Sequence, residues 1–181
     1  MRKGRLYYVM GSSGVGKDSV LTWVRSHGVS HDVLCAHRYI TRPADAGAEN
    51  HVALSEAEFL LRAERGLFAL TWQAHGLHYG IGREIQHWLE RGAQVLVNGS
   101  RDAYPQARER FPTLQPVMIT ANRATIAIRL AARGRENDAD IAERLARRDA
   151  YQAPADALVI QNDGSISDAG ATLLKAITQP H

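Results

Sequence analysis

A glycine-rich segment near the start of the chain has the residue types and spacing of a phosphate-binding loop. The apolar run Leu6 to Met10 leads directly into glycines 11, 14 and 16 and then Lys17. Glycine lets the backbone approach a ligand closely, so that successive amide N–H groups point at one anion at a helix N-terminus. Lys17 would then reach the β- and γ-phosphates of a nucleotide. The residues predicted to bind ATP are Gly11, Ser12, Ser13, Gly14, Val15, Gly16, Lys17, Asp18 and Ser19.

The last position of this loop departs from the strict pattern GxxxxGK[ST], whose final hydroxyl binds magnesium. Asp18 stands at that position. A carboxylate oxygen is a hard ligand that suits Mg²⁺, and Asp18 is therefore the predicted metal ligand. Ser19 is the alternative ligand, in which case Asp18 would act on the metal indirectly, without binding it. The sequence leaves both assignments open. A tight turn without a ligand is a weaker interpretation of the segment. The predicted strand before it, the predicted helix after it and the position of the lysine all match the phosphate-binding motif.

Length and composition are typical of one compact α/β domain spanning residues 1–181. The 181 residues are 45% hydrophobic and 23% charged, which excludes a coiled-coil rod, a collagen-like fibre and a disordered tail. The apolar run near the start is far shorter than the roughly 20 residues of a membrane-spanning helix. Cys35 is the single cysteine and cannot form an intramolecular disulfide. We therefore expect a cytoplasmic chain with no membrane contact.

The basic residues are unbalanced in type, since 19 of the 22 are arginines and the net charge is only +3. Arginine pairs bidentately with phosphate or carboxylate, which favours a phosphorylated partner. Codon bias combined with a solvated helix face explains the excess equally well. Aromatic residues are not interleaved with the arginines, and no nucleic-acid-binding motif is present, so no nucleic-acid partner is expected.

Apolar runs alternate with amphipathic stretches, and this pattern predicts a mostly parallel sheet with crossover helices on both faces. One helix begins at Lys17 and ends at Gly28, Ser55 and Glu58 form a capping box for a helix to about Arg65, and Asn122 caps a later helix. Residues 41–50 and 133–138 are too polar for the core, and we expect mobile loops there. The five predicted strands are Leu6–Met10, Val33–His37, Gln94–Asn98, Gln115–Ile119 and Ala157–Ile160.

Further short motifs extend over nearly the whole chain, which resembles the guanylate kinase-like family of P-loop kinases. This resemblance implies a five-stranded core sheet, an acceptor-binding insertion over residues 38–80 and an arginine-bearing lid over about residues 129–148. It also implies ATP as co-substrate together with Mg²⁺. The motifs are Thr41-Arg42-Pro43, Tyr79-Gly80, Arg129-Leu130-x-x-Arg133-Gly134-x-Glu136, Arg144-Leu145 and Ile160-x-Asn162-Asp163.

The acceptor segment lacks the residues with which guanylate kinases read guanine. Thr71 precedes Trp72 where the family has a carboxylate, and Ile81 stands where it has a serine. Outside this segment, Asn98 replaces an aspartate that assists magnesium in the family. A missing partner costs about 1 to 3 kcal/mol per buried hydrogen bond, which favours a base-free acceptor. The Gly-Lys-Asp-Ser loop ending and residues 97–101 resemble the family members of phosphonate catabolism. Those members convert ribose 1,5-bisphosphate to 5-phosphoribosyl 1-diphosphate (PRPP).

The resemblance also assigns roles to individual side chains. Arg38, Arg42 and Tyr79 are expected to hold the acceptor phosphate. Arg129, Arg133 and Arg144, with Arg135, are expected to close over the transferred phosphoryl group and stabilise its charge. Arg147 and Arg148 are interpreted as a solvated helix face.

No general base is evident among the eight histidines. An acceptor phosphate is already ionised at pH 7 and needs none. The hypothesis is therefore an ATP-dependent kinase with a small phosphorylated sugar as acceptor. A nucleoside monophosphate kinase acting on guanylate is one alternative. A non-catalytic guanylate-kinase-like binding module is another, although retention of Lys17 argues against it, and the sequence predicts no oligomeric state.

Overall fold

The computed structural model describes residues 4–47, 49–134 and 137–179, which are built around a five-stranded parallel sheet. This confirms the predicted α/β fold, and the five predicted strands lie within two residues of those observed. In chain order, the strands of the described part are β1 (Arg5–Met10), β2 (Val33–Cys35), β3 (Arg38–Ile40), β4 (Val52–Ala53), β5 (Phe68–Ala74), β6 (Leu77–Gly82), β7 (Gln94–Asn98), β8 (Gln115–Thr120) and β9 (Leu158–Gln161). The core sheet has the order β2-β7-β1-β8-β9.

Helices connect these strands and cover the sheet. Two predicted caps are present, since the side chain of Ser55 accepts from the Glu58 amide and that of Asn122 accepts from the Thr125 amide. The carboxylate of Glu58, predicted to complete a capping box, pairs instead with Arg62 one turn later. The helices are α1 (Lys17–His27), α2 (Glu56–Glu64), α3 (Glu84–Glu90), α4 (Tyr104–Arg110), α5 (Arg123–Ala132), α6 (Asp138–Ala150) and α7 (Ile166–Thr178), with a 3-10 turn at Val29–His31.

Strand β1 lies at the centre of the core sheet and is buried on both faces. Its side chains alternate between the faces, as the pleat requires. Tyr7 and Val9 pack in one apolar cluster with side chains of α1, α5 and α7. Leu6, Tyr8 and Met10 pack in a second cluster with α3 and α4. The two layers hold the carboxyl end of β1, from which the glycine-rich loop emerges, in a fixed position.

A second sheet, of order β4-β3-β6-β5, is formed within residues 38–82. Strands β5 and β6 form a hairpin whose turn has positive φ at His75 (52°) and Gly76 (74°), the signature of a type I′ turn. Leu70 and Ile81 of this hairpin belong to the same buried cluster as Val97 of the core sheet. The shared cluster fixes the second sheet beside the carboxyl ends of the core strands.

One of the two predicted surface loops contributes a buried side chain. Glu49 lies within residues 41–50, yet its side chain is only 12% exposed. The prediction of a wholly external loop is therefore wrong at this residue, because two arginines compensate the charge of its carboxylate. The other predicted loop ends early, since Asp138 already begins α6. In the described ranges, no helix has the length and apolar character needed to cross a membrane.

Candidate active site

A large cavity lies where the glycine-rich loop leaves β1, between β7 and β8 on either side. Its volume is about 850 Å³, and we call it the main cleft. In open parallel sheets, ligands bind outside the carboxyl ends of the strands at the point where strand order reverses. The main cleft occupies that point. Side chains from the loop, both sheets and α6 line it, including Ser13, Lys17, Arg38, Tyr79, Arg101 and Arg144.

The glycine-rich loop has the backbone geometry that phosphate binding requires. Gly14 and Gly16 have φ of 87° and 81°, in the left-handed region that favours glycine. The carbonyl oxygen of Val15, at the apex, accepts from Arg129 Nη1 at 3.1 Å and from Asn162 Nδ2 at 2.7 Å. These two bonds fix a carbonyl that would otherwise repel an anion. Arg129, expected in the lid, thus contacts the loop itself.

Lys17 follows the loop directly, and its ammonium group contacts neutral oxygens. It donates to Asn98 Oδ1 and, at 3.3 Å, to the carbonyl oxygen of Gly99. Burial lowers the pKa of Lys17 from 10.5 to about 8, and the charges of Arg38 and Arg101 contribute to the decrease. The site therefore favours an additional anion near Lys17, because negative charge there would compensate the lysine.

Asp18 has a carboxylate that suits a divalent cation at the edge of this site. Asn98 Nδ2 donates to Asp18 Oδ1 at 3.0 Å, so that Asn98 orients the carboxylate while also contacting Lys17. Mg²⁺ is typically bound by one or two carboxylates together with substrate phosphates. The donor set of Asp18 fits that requirement. Ser19 is exposed on α1, and the described residues include no group of three or more His, Cys, Asp or Glu side chains arranged to hold a metal.

Arg38, Tyr79 and Trp72 form the wall of the main cleft that belongs to the second sheet. The guanidinium of Arg38 lies 5.0 Å from the ring centroid of Tyr79, and Tyr79 stacks on Trp72 with centroids 5.5 Å apart. Glu49 binds Arg38 through both carboxylate oxygens, with Nε to Oε1 at 2.6 Å. Burial alone would raise the pKa of Glu49, but Arg38, Lys17 and Arg42 lower it below its ordinary value of 4.5.

Arg42 lies on the other side of Glu49. Its Nη2 is 3.5 Å from Glu49 Oε2 and 3.3 Å from His51 Nδ1. The side chain lines a separate cavity of about 420 Å³ together with His78. Of the three predicted acceptor residues, Arg38 and Tyr79 line the main cleft directly. Arg42 reaches it through the carboxylate that it shares with Arg38.

The predicted lid arginines occupy different environments. Arg144 extends from α6 and donates to Ser13 Oγ at 2.7 Å, which connects that helix to the loop. Arg133 is exposed at the end of α5, and Arg135 falls outside the described residues. Arg147 is 65% exposed, as its interpretation as part of a solvated helix face predicts, and it pairs with Glu143 and lines the main cleft. The interpretation as a solvated face is wrong for Arg148, which is only 26% exposed because it donates to the carbonyl oxygen of Ala121 at 2.7 Å.

Sequence reasoning assigned no role in the site to four residues that the structure brings to it. Asn162 binds the loop apex, Glu49 pairs with Arg38, and Arg101 lies 4.9 Å from the ring centroid of Tyr151 in the main cleft. A signal for Arg101 was available, because polar residues that follow a core strand lie at the ligand-binding edge. Glu49 had no such signal, since it belongs to a polar segment far from the core strands in sequence.

Comparison with known proteins gives a consistent result, although no protein-family model matches the sequence. Ribose 1,5-bisphosphate phosphokinase PhnN of Laribacter hongkongensis is 56% identical over 94% of this chain, which spans only 42% of that relative's length. The proteins of the same name from Chromobacterium violaceum and Thiobacillus denitrificans are 52% and 46% identical. These two alignments cover 96% and 98% of this chain and 94% and 95% of the relatives.

A solved structure agrees at the level of the fold. The crystal structure of guanylate kinase from Anaplasma phagocytophilum superposes with a TM-score of 0.69, covering 99% of this chain and 88% of that one. Only 16% of the residues are identical, so this likeness concerns the fold alone. The relatives from Chromobacterium violaceum and Thiobacillus denitrificans show that the chain is a kinase that belongs to the ribose 1,5-bisphosphate phosphokinase family.

Proposed function

We propose that this kinase transfers the γ-phosphoryl group of ATP to the 1-phosphate of ribose 1,5-bisphosphate, giving PRPP and ADP in phosphonate catabolism. One observation carries the proposal: Lys17 of the glycine-rich loop and Arg38 of the second sheet line the same cleft. A donor triphosphate and an acceptor phosphate bound to these two side chains would meet there. The names of the close relatives supply the identity of the sugar.

The proposed reaction is an in-line displacement at phosphorus. An oxygen of the acceptor 1-phosphate forms a bond to the γ-phosphorus, and the bond from that phosphorus to the β–γ bridging oxygen breaks, with its electron pair leaving on ADP. The acceptor is ionised at neutral pH, so no proton needs to be removed. The work of the protein is to position two polyanions and to compensate their charge.

The donor residues act through the backbone and through fixed cations. The amides of residues 11–16 and the ammonium of Lys17 bind the β- and γ-phosphates. Arg144 already contacts Ser13 in the loop, and it is placed to compensate charge on the moving group. Arg129 maintains the loop conformation through the Val15 carbonyl. Arg133 completes the proposed set of lid cations over residues 129–148.

A kinase of this fold uses ATP and generally a divalent metal, and we propose Mg²⁺ at Asp18. When bound, the metal would offset the negative charge of the phosphates. Asp18 would hold it through the carboxylate oxygen that Asn98 leaves free. Ser19 is the second candidate, because it lies next to Asp18 in the first turn of α1.

The acceptor residues favour a sugar phosphate over a nucleotide. Arg38 is held above the Tyr79 ring and presents a fixed cation to a phosphate. Arg42 supports it through Glu49. Thr71, paired with Gly80 across the hairpin, offers no carboxylate to a guanine base. Residues 38–80 thus constitute the proposed acceptor-binding insertion of one kinase domain.

A side-by-side assay tests the proposal. ADP release is measured with MgATP and either ribose 1,5-bisphosphate or GMP as acceptor, at equal concentrations. Faster turnover of the sugar is expected, with ADP release dependent on acceptor. Faster turnover of GMP would instead support a guanylate kinase. Absence of any transfer, together with peptide binding, would support a non-catalytic module.

A further inference from the structure

The segment that leaves β7 enters the main cleft in a rigid conformation. A Cβ at Gly99 would lie 2.2 Å from the Tyr8 ring, so only glycine fits there. The Tyr8 hydroxyl donates to the Ser100 carbonyl oxygen at 2.9 Å and accepts from the Ser100 amide at 3.0 Å. Tyr8 is fully buried in the core. The backbone of the next residue, Arg101, is therefore fixed relative to the sheet.

The side chain of Arg101 is also held in place, by an aromatic ring. Its guanidinium lies 4.9 Å from the ring centroid of Tyr151, which follows the last turn of α6. Both residues line the main cleft. A cation fixed at both its backbone and its side chain binds an anion with little loss of conformational entropy. Arg101 is thus preorganised as an anion-binding group.

Arg101 differs in its pairing from Arg38 and Arg147, two other arginines of the cleft. Arg38 is paired with Glu49, and Arg147 is paired with Glu143. Within the described ranges, no carboxylate forms a salt bridge with Arg101. Its contact is with a ring face, which leaves its N–H groups available to a ligand. Within the described ranges, this positive charge of the cleft is therefore not compensated by a direct salt bridge.

The anions of the reaction can be matched to the cations one by one. The triphosphate is met by the loop amides, Lys17 and Arg144, and the reacting acceptor phosphate by Arg38. Arg101 remains, and it lies on a different wall of the main cleft from Arg38, because it packs on Tyr151 at the end of α6 whereas Arg38 packs on Tyr79 of the second sheet. Its position therefore suits a phosphate that is part of the acceptor but is not phosphorylated.

We propose that Arg101 binds the second, non-reacting phosphate of the acceptor, the 5-phosphate, and so selects sugars that carry two phosphates. This inference rests on the proposed function, because it assumes a bisphosphate acceptor. A guanidinium pairs with phosphate through two parallel N–H donors, and this geometry discriminates more strongly than a point charge does. The specificity of the enzyme would then lie at the end of β7 as well as in the second sheet.

The test compares the wild type with Arg101→Ala, Arg101→Lys and a matched control, Arg110→Ala. Arg110 is exposed at the far end of α4, and its substitution removes the same charge outside the cleft. Turnover of ribose 1,5-bisphosphate is measured first. Ribose 5-phosphate and ribose 1-phosphate are then added as inhibitors, since each carries only one of the two phosphates.

The expected result is specific to one phosphate. Arg101→Ala should raise KM for ribose 1,5-bisphosphate and the inhibition constant of ribose 5-phosphate by about 10- to 100-fold, the usual value of a charge-assisted hydrogen bond. In the same variant, the inhibition constant of ribose 1-phosphate and KM for MgATP should change by less than about 3-fold, since no charge-assisted hydrogen bond to either is lost. Arg101→Lys should recover part of the loss, and Arg110→Ala should behave as the wild type.

Two outcomes would overturn the inference while leaving the proposed function intact: an unchanged KM for the bisphosphate in Arg101→Ala, or an equal loss for both monophosphates or for MgATP. A wild-type enzyme that fails to phosphorylate ribose 1,5-bisphosphate would overturn the proposed function itself. Circular dichroism and thermal unfolding of each variant exclude a loss caused by misfolding.

Discussion

The proposed donor side of the main cleft and its proposed acceptor side are built from the chain in different ways. On the donor side, consecutive residues 11–17 make one loop, and Arg129 and Asn162 fix its apex from behind. On the acceptor side, Arg38 comes from β3 and its partner Glu49 from the segment before β4. The proposed donor loop is therefore continuous in the chain, whereas the proposed acceptor side is assembled from separate strands and the segment between them.

The two sides also differ in how their cations are compensated. The Lys17 ammonium contacts an amide oxygen and a carbonyl oxygen, and its pKa falls to about 8 because burial and the charge of Arg38 outweigh the carboxylates of Asp18 and Glu49. Arg38 binds a buried carboxylate through two hydrogen bonds. The donor cation thus gains most from an incoming phosphate, while the acceptor cation is already stabilised by the protein. Substitutions on the two sides should therefore have different consequences, with loss of activity on the donor side and loss of both stability and substrate binding on the acceptor side.

The largest effect is expected on the donor side, from Lys17→Ala. Loss of a preorganised cation at the transferred phosphoryl group should lower kcat by about 10³-fold. Steady-state kinetics with thermal unfolding of the same samples would separate catalysis from stability. Lys175→Ala, on the exposed face of α7, is the matched control. An active Lys17→Ala enzyme would remove the distinction between the two sides.

A smaller effect is expected from the lid arginines, and it should be unequal. Arg144 contacts Ser13 of the loop, whereas Arg133 is exposed at the end of α5. We expect Arg144→Ala to reduce kcat/KM by about 10- to 100-fold, as for the loss of a charge-assisted hydrogen bond. Arg133→Ala should reduce kcat/KM by a smaller factor. The reverse order would show that the lid closes with a different helix face toward the donor.

On the acceptor side, Glu49→Gln should affect stability as well as substrate binding. Removing this buried charge leaves Arg38 and Arg42 uncompensated, and the free energy of unfolding should fall by about 1 to 3 kcal/mol. Urea unfolding measures the difference, with exposed Glu109→Gln as control. An unchanged stability would mean that the acceptor side does not depend on its internal ion pair.

The same variant carries a pH signature. The pKa of Glu49 is lower in the folded state than its ordinary value of 4.5, so the carboxylate contributes stability above about pH 4.5. That contribution is lost as the pH falls through the folded-state pKa. The difference in unfolding free energy between the wild type and Glu49→Gln should therefore shrink below pH 4.5. A constant difference across this range would contradict the assignment.

The smallest effect concerns protons taken up on the donor side. Lys17, with a pKa of about 8, is mostly neutral in the free enzyme at about pH 9, and bound phosphate should restore its charge. Calorimetry of MgATP binding at that pH in two buffers of different ionisation enthalpy should show uptake of most of one proton. Cys35 and Tyr8 do not interfere, because burial raises their pKa to about 11 and about 12. Lys17→Ala should show no uptake.

The contrast between the two sides explains what the sequence could predict. The core strands and the loop are encoded by nearby residues, because apolar runs and glycine spacing have local consequences. The second sheet was expected as an insertion, but its hairpin at His75 and Gly76 was not predicted. Glu49 could not be placed, since a charged residue in a polar segment becomes buried only through the cations of Arg38 and Arg42.

The proposed transfer requires that donor and acceptor phosphates meet in the main cleft and become joined. Phosphorus NMR of the wild-type enzyme with MgATP and ribose 1,5-bisphosphate tests this requirement directly. We predict ADP together with two mutually coupled phosphorus resonances of a diphosphate at carbon 1, beside an unchanged monophosphate at carbon 5. Conversion of ATP to ADP and inorganic phosphate, with both sugar phosphates unaltered, would contradict it.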